Sequence, residues 1–138
     1  MPPRRIQFTE DGASQWAGMA NLSLVSPDGR HVVELQYQGE PPHGDSYHSA
    51  SVGGIALPGL FWGCMFAFSS SSRYFVGSWM RQKFERCTAV VDLDAGRYFV
   101  LPSYIYDFKV EWPVIVGVGE LSRGLEYSFG GSEAWLAT

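Results

Sequence analysis

Two imidazoles and a carboxylate stand within six positions of one another in the segment Gly39-Glu40-Pro41-Pro42-His43-Gly44-Asp45-Ser46-Tyr47-His48. His43, Asp45 and His48 are donor types that a divalent transition metal accepts. Their spacing serves a metal poorly, because His at i and i+5 shares no face of a helix or a strand, and the prolines and glycines make the segment a loop. A metal-dependent enzyme using the 40–48 loop therefore ranks last among the functional expectations. No metal site and no cofactor are expected.

The other reactive residue types lack a working arrangement. No G-x-S-x-G elbow exposes a serine nucleophile, and neither a G-x-x-x-x-G-K loop nor an H-E-x-x-H pair occurs. After Gly117-Val118-Gly119, the third glycine position of a dinucleotide-binding loop is held by Ser122. Cys64 and Cys87 form no Cys-x-x-Cys pair and have no adjacent His to lower a thiol pKa, so buried free thiols are expected. Asp92 and Asp94 share a strand face but flank a turn, where solvation is the expectation. The Ser69–Ser72 tract reads as a polar hairpin loop. With no catalytic set, the chain is expected not to be an enzyme, and attention moves to its surface.

The elements that position this surface are strands. Phe108, Val110, Trp112, Val114, Val116 and Val118 alternate with Lys109, Glu111, Pro113, Ile115 and Gly117, a period of two. Pro113 cannot donate to a ladder, which predicts an edge position, a bulge or a break at Trp112-Pro113. The same alternation marks Val33, Leu35 and Tyr37, then Ala89, Val91 and Leu93, and then Leu125, Tyr127 and Phe129. Ser26-Pro27-Asp28-Gly29 and Asp94-Ala95-Gly96 are turn sequences, with Pro presetting φ and Gly supplying the positive φ. Only Glu10–Ala20 resists a strand assignment, since Trp16, Met19 and Ala20 sit at helical spacing; a short helix or an irregular loop is expected there. Aromatic residues make up 15% of the chain, which suits pleated, half-buried surfaces. The expectation is an all-β fold of about ten short strands in antiparallel hairpin meanders, with at most one short helix.

Laid over one another, Ser26–Leu35 and Ser69–Ser78 match at Ser26/Ser69, Arg30/Arg73 and Val33/Val76, an offset of 43 residues. Val76-Gly77 then matches Val116-Gly117 at an offset of 40. The segments SPDGRHVVEL and VVDLDAGRYFVLP resemble blade strands of WD40-like β-propellers, over about Asn21 to Gly119. The Gly-His and Trp-Asp pairs of true WD40 repeats are missing. Three units are fewer than the four blades that close the smallest usual propellers, so the resemblance implies an open, partial-propeller or sandwich-like body.

At 138 residues, with 46% hydrophobic and 17% charged residues, the chain fits one domain spanning residues 1–138. Ten Lys and Arg against fourteen Asp and Glu give a net charge of -4, so direct nucleic-acid binding is not expected and a partner with a basic surface fits better. No run of 18 apolar residues occurs, and Met1-Pro2-Pro3-Arg4-Arg5 precedes no apolar leader core, so a cytoplasmic protein without membrane contact is expected. From Tyr104 onward five acids, Asp107, Glu111, Glu120, Glu126 and Glu133, face two bases, Lys109 and Arg123.

Candidate partner-contact residues are therefore Glu40, His43, Asp45, Tyr47 and His48 in the loop, and Asp107, Glu111, Trp112 and Glu120 in the acidic third. Trp79 and Trp135 are further aromatic candidates, with core packing the alternative for each tryptophan. Small, single-domain, acidic, leaderless and free of catalytic motifs, the chain resembles bacterial immunity proteins in type. That resemblance implies a non-enzymatic module that binds and neutralises a cognate toxin, such as a basic nuclease. The alternative is an assembly or scaffold protein recruiting a partner through a β-sheet edge.

Overall fold

The turn at Ser26 and the turn at Ser69 carry the same hydrogen bonds, and from them the fold can be built outward. At the first, the Ser26 N–H donates to the His31 carbonyl (2.9 Å), the His31 N–H to Ser26 Oγ (3.0 Å) and the Gly29 N–H to the Ser26 carbonyl (2.9 Å). At the second, the Ser69 N–H donates to the Tyr74 carbonyl (2.9 Å), the Tyr74 N–H to Ser69 Oγ (3.0 Å) and the Ser72 N–H to the Ser69 carbonyl (2.9 Å). Gly29 and Ser72 occupy equivalent places with φ of 76° and 66°. A left-handed serine carries a steric cost; Ser72 is buried there and its Oγ accepts the Asp28 N–H at 3.0 Å, so it ties one turn to the other.

The computed structural model describes residues 3–138, and no helix forms among them. Around the two turns run β3 (Leu22–Val25) with β4 (Val32–Gly39), and β7 (Leu60–Phe68) with β8 (Tyr74–Met80). β1 (Arg4–Gln7) lies parallel to β3, the one parallel pair among the described ladders. β5 (Tyr47–Val52) joins β4 to β7, and β9 (Cys87–Asp92) and β10 (Arg97–Val100) follow β8. β14 (Leu136–Ala137) ends the sheet, while β2 (Gln15–Trp16) pairs with β7 and β6 (Ile55–Ala56) with β5, which makes eleven strands. A second sheet holds β11 (Phe108–Glu111), β12 (Val114–Gly117) and β13 (Glu126–Ser128).

The large sheet is open, and it coils until turns from separate hairpins touch. Arg30 reaches Asp94 at 2.5 Å and the Ser71 carbonyl at 3.2 Å, and His31 Nε2 lies 2.8 Å from Asp94. Coiling encloses Phe8, Leu24, Val33, Leu35, Phe61, Phe66, Phe68, Phe75, Trp79 and Tyr98 in one core. The small sheet covers the opposite face of the β7–β10 region, enclosing Val76, Val90, Ile105, Phe108, Val110 and Ile115. The body is all-β and sandwich-like, in two sheets.

The structure decides between the alternatives left at Pro113 and at Glu10–Ala20, and it overturns the expectation for Asp92. The alternating run Phe108–Val118 is two strands of a hairpin, with Trp112-Pro113 in its turn. Val110 faces Ile115 and Phe108 faces Gly117, so the turn reverses the phase: Ile115 and Gly117 point inward, Val114, Val116 and Val118 outward. Glu10–Ala20 forms an extended strap rather than a helix. The Val110 N–H donates to the Gly12 carbonyl, the Ser14 N–H to Phe108 and the Ala17 N–H to Cys64, each within 3.0 Å. A Cβ on Gly12 would lie 2.1 Å from the Val110 oxygen, which explains the glycine.

Finally, Asp92 is fully buried, not solvated. Arg73 grips it with two bonds of 2.9 Å, Arg97 adds one of 2.9 Å, and the Ala95 N–H one of 3.1 Å. Burial alone would raise its pKa; the two guanidiniums outweigh burial and hold it below the ordinary 3.8.

Asp92→Ala should lower stability by about 2–3 kcal/mol, the scale of hydrogen bonds to charged groups, in urea unfolding at neutral pH. Because the folded pKa is depressed, this contribution is complete above the unfolded value of 3.8 and disappears as pH falls through the folded one. The gap between wild type and variant should therefore narrow in strong acid. A neutral-pH loss below about 0.5 kcal/mol would remove Asp92 as a structural anchor.

Candidate functional site

The N-terminal half of β7 sends Trp62 and Cys64 into a third buried cluster with Tyr47 and Met80, bordered by Leu60 and Tyr106. The chain after β8 then makes a turn that places a cation on this cluster. The Glu85 carboxylate accepts the Arg81 and Gln82 N–H groups at 2.7 and 3.1 Å, and the Glu85 carbonyl accepts the Trp62 indole N–H at 3.0 Å. Trp62 is thereby fixed in orientation, and the next residue, Arg86, lays its guanidinium 3.8 Å from the indole ring centroid. Arg86 Nη1 donates to Asp45 at 3.0 Å. Burial opposes the Arg86 charge, but Asp45 and the Tyr104 oxygen more than offset that and raise its pKa.

Arg86, Tyr104, Tyr106, Leu121 and Ser122 line a cleft of about 410 Å³. Tyr104 bonds to Ser78 at 2.9 Å. Burial raises the pKa of both Tyr104 and Tyr106, with the Asp45 and Asp107 carboxylates adding to the effect on Tyr106, so both phenols stay protonated. The far wall is the 119–124 turn, held by the Arg123 N–H to the Gly119 carbonyl (2.9 Å) and by Ser122, whose buried Oγ accepts the Asp107 N–H (3.1 Å). That turn leaves Leu121 86% exposed. On the other side Phe84 is 48% exposed, with Tyr47 and Trp62 within 6.2 Å.

Of the sequence-derived residues, Asp45 and Tyr47 belong to this site, Asp45 through Arg86 and Tyr47 as part of the wall behind Phe84. Asp107 lies near Tyr106 on the other side and accepts the Ser14 hydroxyl at 2.5 Å, and Glu120 is exposed in the turn that carries Leu121. Glu40 and His43 are exposed in the connection between β4 and β5. Glu111 lies at the far end of β11, 3.8 Å from Lys109, outside the cleft. Trp112 stacks on Tyr74 and Phe129 with centroids 3.5 and 4.6 Å away, inside the joint between the sheets, and Trp135 continues that stack. Trp79 is buried.

His48 is buried completely. Its Nε2 lies 3.1 Å from the Ala20 carbonyl and therefore carries the proton, while Nδ1 has no partner. No group of three His, Cys, Asp or Glu residues converges on a metal position among the described residues. Cys64 is buried and its thiol is pushed up in pKa by that burial, so it is no nucleophile.

Arg86, Trp62, Tyr104, Tyr106 and Leu121 were not singled out by sequence. One signal was present: Arg81-Gln82-Lys83-Phe84-Glu85-Arg86 concentrates three bases and an aromatic residue in an acidic chain.

The chain matches no family model, no curated protein and no solved structure. No helix among the described residues is long and apolar enough to cross a membrane.

His48 supplies a pH test of this arrangement. Burial lowers its pKa from 6.5, so the stabilising neutral form is fully in place above about 6.5 and its contribution falls as pH drops and the unfolded chain takes up the proton. Urea midpoints measured from about pH 7.5 to 5.5 should fall in the wild type and fall less in His48→Gln. Parallel curves would show that His48 titrates alike in both states.

Proposed function

We propose that this chain is a non-enzymatic protein-binding module, and that it neutralises a basic toxin or effector by covering it, in the manner of an immunity protein. A basic nuclease fits the charge best, and the bacterial cytoplasm is the compartment this implies. The supporting observation is the surface around the cleft. Arg, Trp and Tyr dominate binding energy at interfaces, and here Arg86 stacked on Trp62 shares one concavity with Tyr104 and Tyr106. Leu121 and Phe84 flank it as large apolar side chains left in water. The chain's net charge of -4 favours encounter with a basic surface, and Asp45 and Asp107 lie beside the cleft.

Recruitment through a sheet edge has less to work with. β1 offers four residues, among them Arg4 and Arg5, and β14 offers two. Short, charged edges resist strand addition.

Coexpression with a toxin-like protein encoded beside this one is the direct test. Growth should be rescued and a complex should co-elute in size exclusion, and Arg86→Ala combined with Leu121→Ala should weaken binding at least tenfold, or about 1.4 kcal/mol. Cells left unprotected, with no complex formed, would overturn the proposal.

A further inference from the structure

We propose, building on the binding role above, that the cleft receives one carboxylate side chain of the partner, an Asp or Glu set among basic residues. The lining carries the inference. No carboxylate residue lines the cleft; its polar residues with exposed surface are Arg86, Tyr104 and Tyr106. Ser122 is fully buried with its Oγ engaged by the Asp107 N–H, so it fixes the wall and offers the cleft no donor. Tyr106 has no hydrogen-bond partner among the described residues, and burial with the nearby carboxylates keeps its proton in place. Arg86 spends Nη1 on Asp45, and a guanidinium carries five N–H donors. Its remaining donors, held in one plane by Trp62, suit a forked bond to a carboxylate.

Other occupants fit worse. A partner Lys or Arg would meet the like charge of Arg86, and an apolar side chain would leave the Tyr106 and Arg86 donors unpaired. Asp45 and Asp107 lie beside this cationic centre, so the complementary surface sets bases next to the carboxylate. Proteins that hold a phosphate backbone carry such bases, and centres that cleave phosphodiesters add carboxylates for metal or proton work. The cleft would thus occupy a carboxylate within the partner's own nucleic-acid-binding surface and remove it from use.

The probe is the acetylated, amidated peptide Lys-Lys-Asp-Lys-Lys, with counterparts carrying Asn or Leu at the centre, titrated into the isotopically labelled chain at about 50 mM salt, where charge contacts are weakly screened. The Trp62 indole and Arg86 side-chain resonances should shift on addition, and the Asp peptide should bind at least tenfold more tightly than either counterpart. Arg86→Met should abolish that preference. Arg86→Lys, which keeps the charge and the fold but not the fork, should reduce it at least threefold, while Lys109→Met leaves it unchanged. Equal binding of the three peptides, or a preference that survives Arg86→Met, would overturn the inference. The two proposals fail separately: rescue from a toxin that is indifferent to Arg86 sinks only the carboxylate receptor, and a selective peptide without rescue sinks only the immunity role.

Discussion

Strand β8 is buried at all seven of its residues, and the rest of the architecture answers that requirement. A strand has two faces, so complete burial demands a layer on each. The large sheet supplies one by coiling over itself, which packs Phe75 and Trp79 against Phe61, Phe66 and Tyr98. The small sheet supplies the other, against Tyr74 and Val76. Gly77 belongs to the same solution: a Cβ there would come within 2.7 Å of the Phe66 ring, which stacks on Phe75 at 5.5 Å and 11°. Close packing of this kind leaves no tolerance for an added methyl group.

A coiled sheet needs its turns fixed, and the polar cluster at one end does this. The Arg30–Asp28 pair is about half exposed, and solvent-screened pairs of that kind add little to stability. Asp92 differs, because a buried carboxylate is costly unless every oxygen is occupied. Its bonds to Arg73 and Arg97 come from two different strands' ends, so satisfying the charge also sets the register of β8, β9 and β10 at that end. The shared bonding of the Ser26 and Ser69 turns provides the scaffold on which Arg30 and Arg73 stand.

Much of this was legible from local chemistry. Alternation located Val33 and Leu35 inside against Glu34 and Gln36 outside, as the structure has them, but Tyr37, read on the same inward face, is exposed. The 43-residue recurrence coincides with two turns of like bonding because a serine at the head of a turn bonds its own loop backbone. Legibility failed where a residue's role depends on a distant segment. Pro113 marked a break, but the alternation runs on past it, so only the pairing of Val110 with Ile115 reveals that inward and outward faces exchange. The Glu10–Ala20 segment left a helix and a loop open because the partner that holds Gly12, Val110, lies almost a hundred residues away. Asp92 looked solvated because Arg73, which holds it with two bonds, approaches from the start of another strand; Arg97 faces it across its own hairpin.

The cleft was illegible for the same reason, and its energetics set it apart from the turn network. Arg86 and Asp45 are each about a third exposed, at 32% and 28%, so their pair lies near the surface regime of about 0–1 kcal/mol. Holding a guanidinium flat on Trp62 adds a cation–π term of about 0.5–1 kcal/mol at such exposure. Neither is large for a chain with three packed clusters, and Leu121, at 86% exposed, gains almost nothing by burial. Trp16, Met19, Ile55 and Leu136 are also left in water, so exposure alone does not distinguish this face; what does is that Leu121 shares a concavity with a guanidinium stacked on Trp62. A grouping of that kind is expected where a surface is shaped for something outside the molecule. The fold's stability rests on β8 and Asp92, which leaves the Arg86 face free to be shaped by a partner.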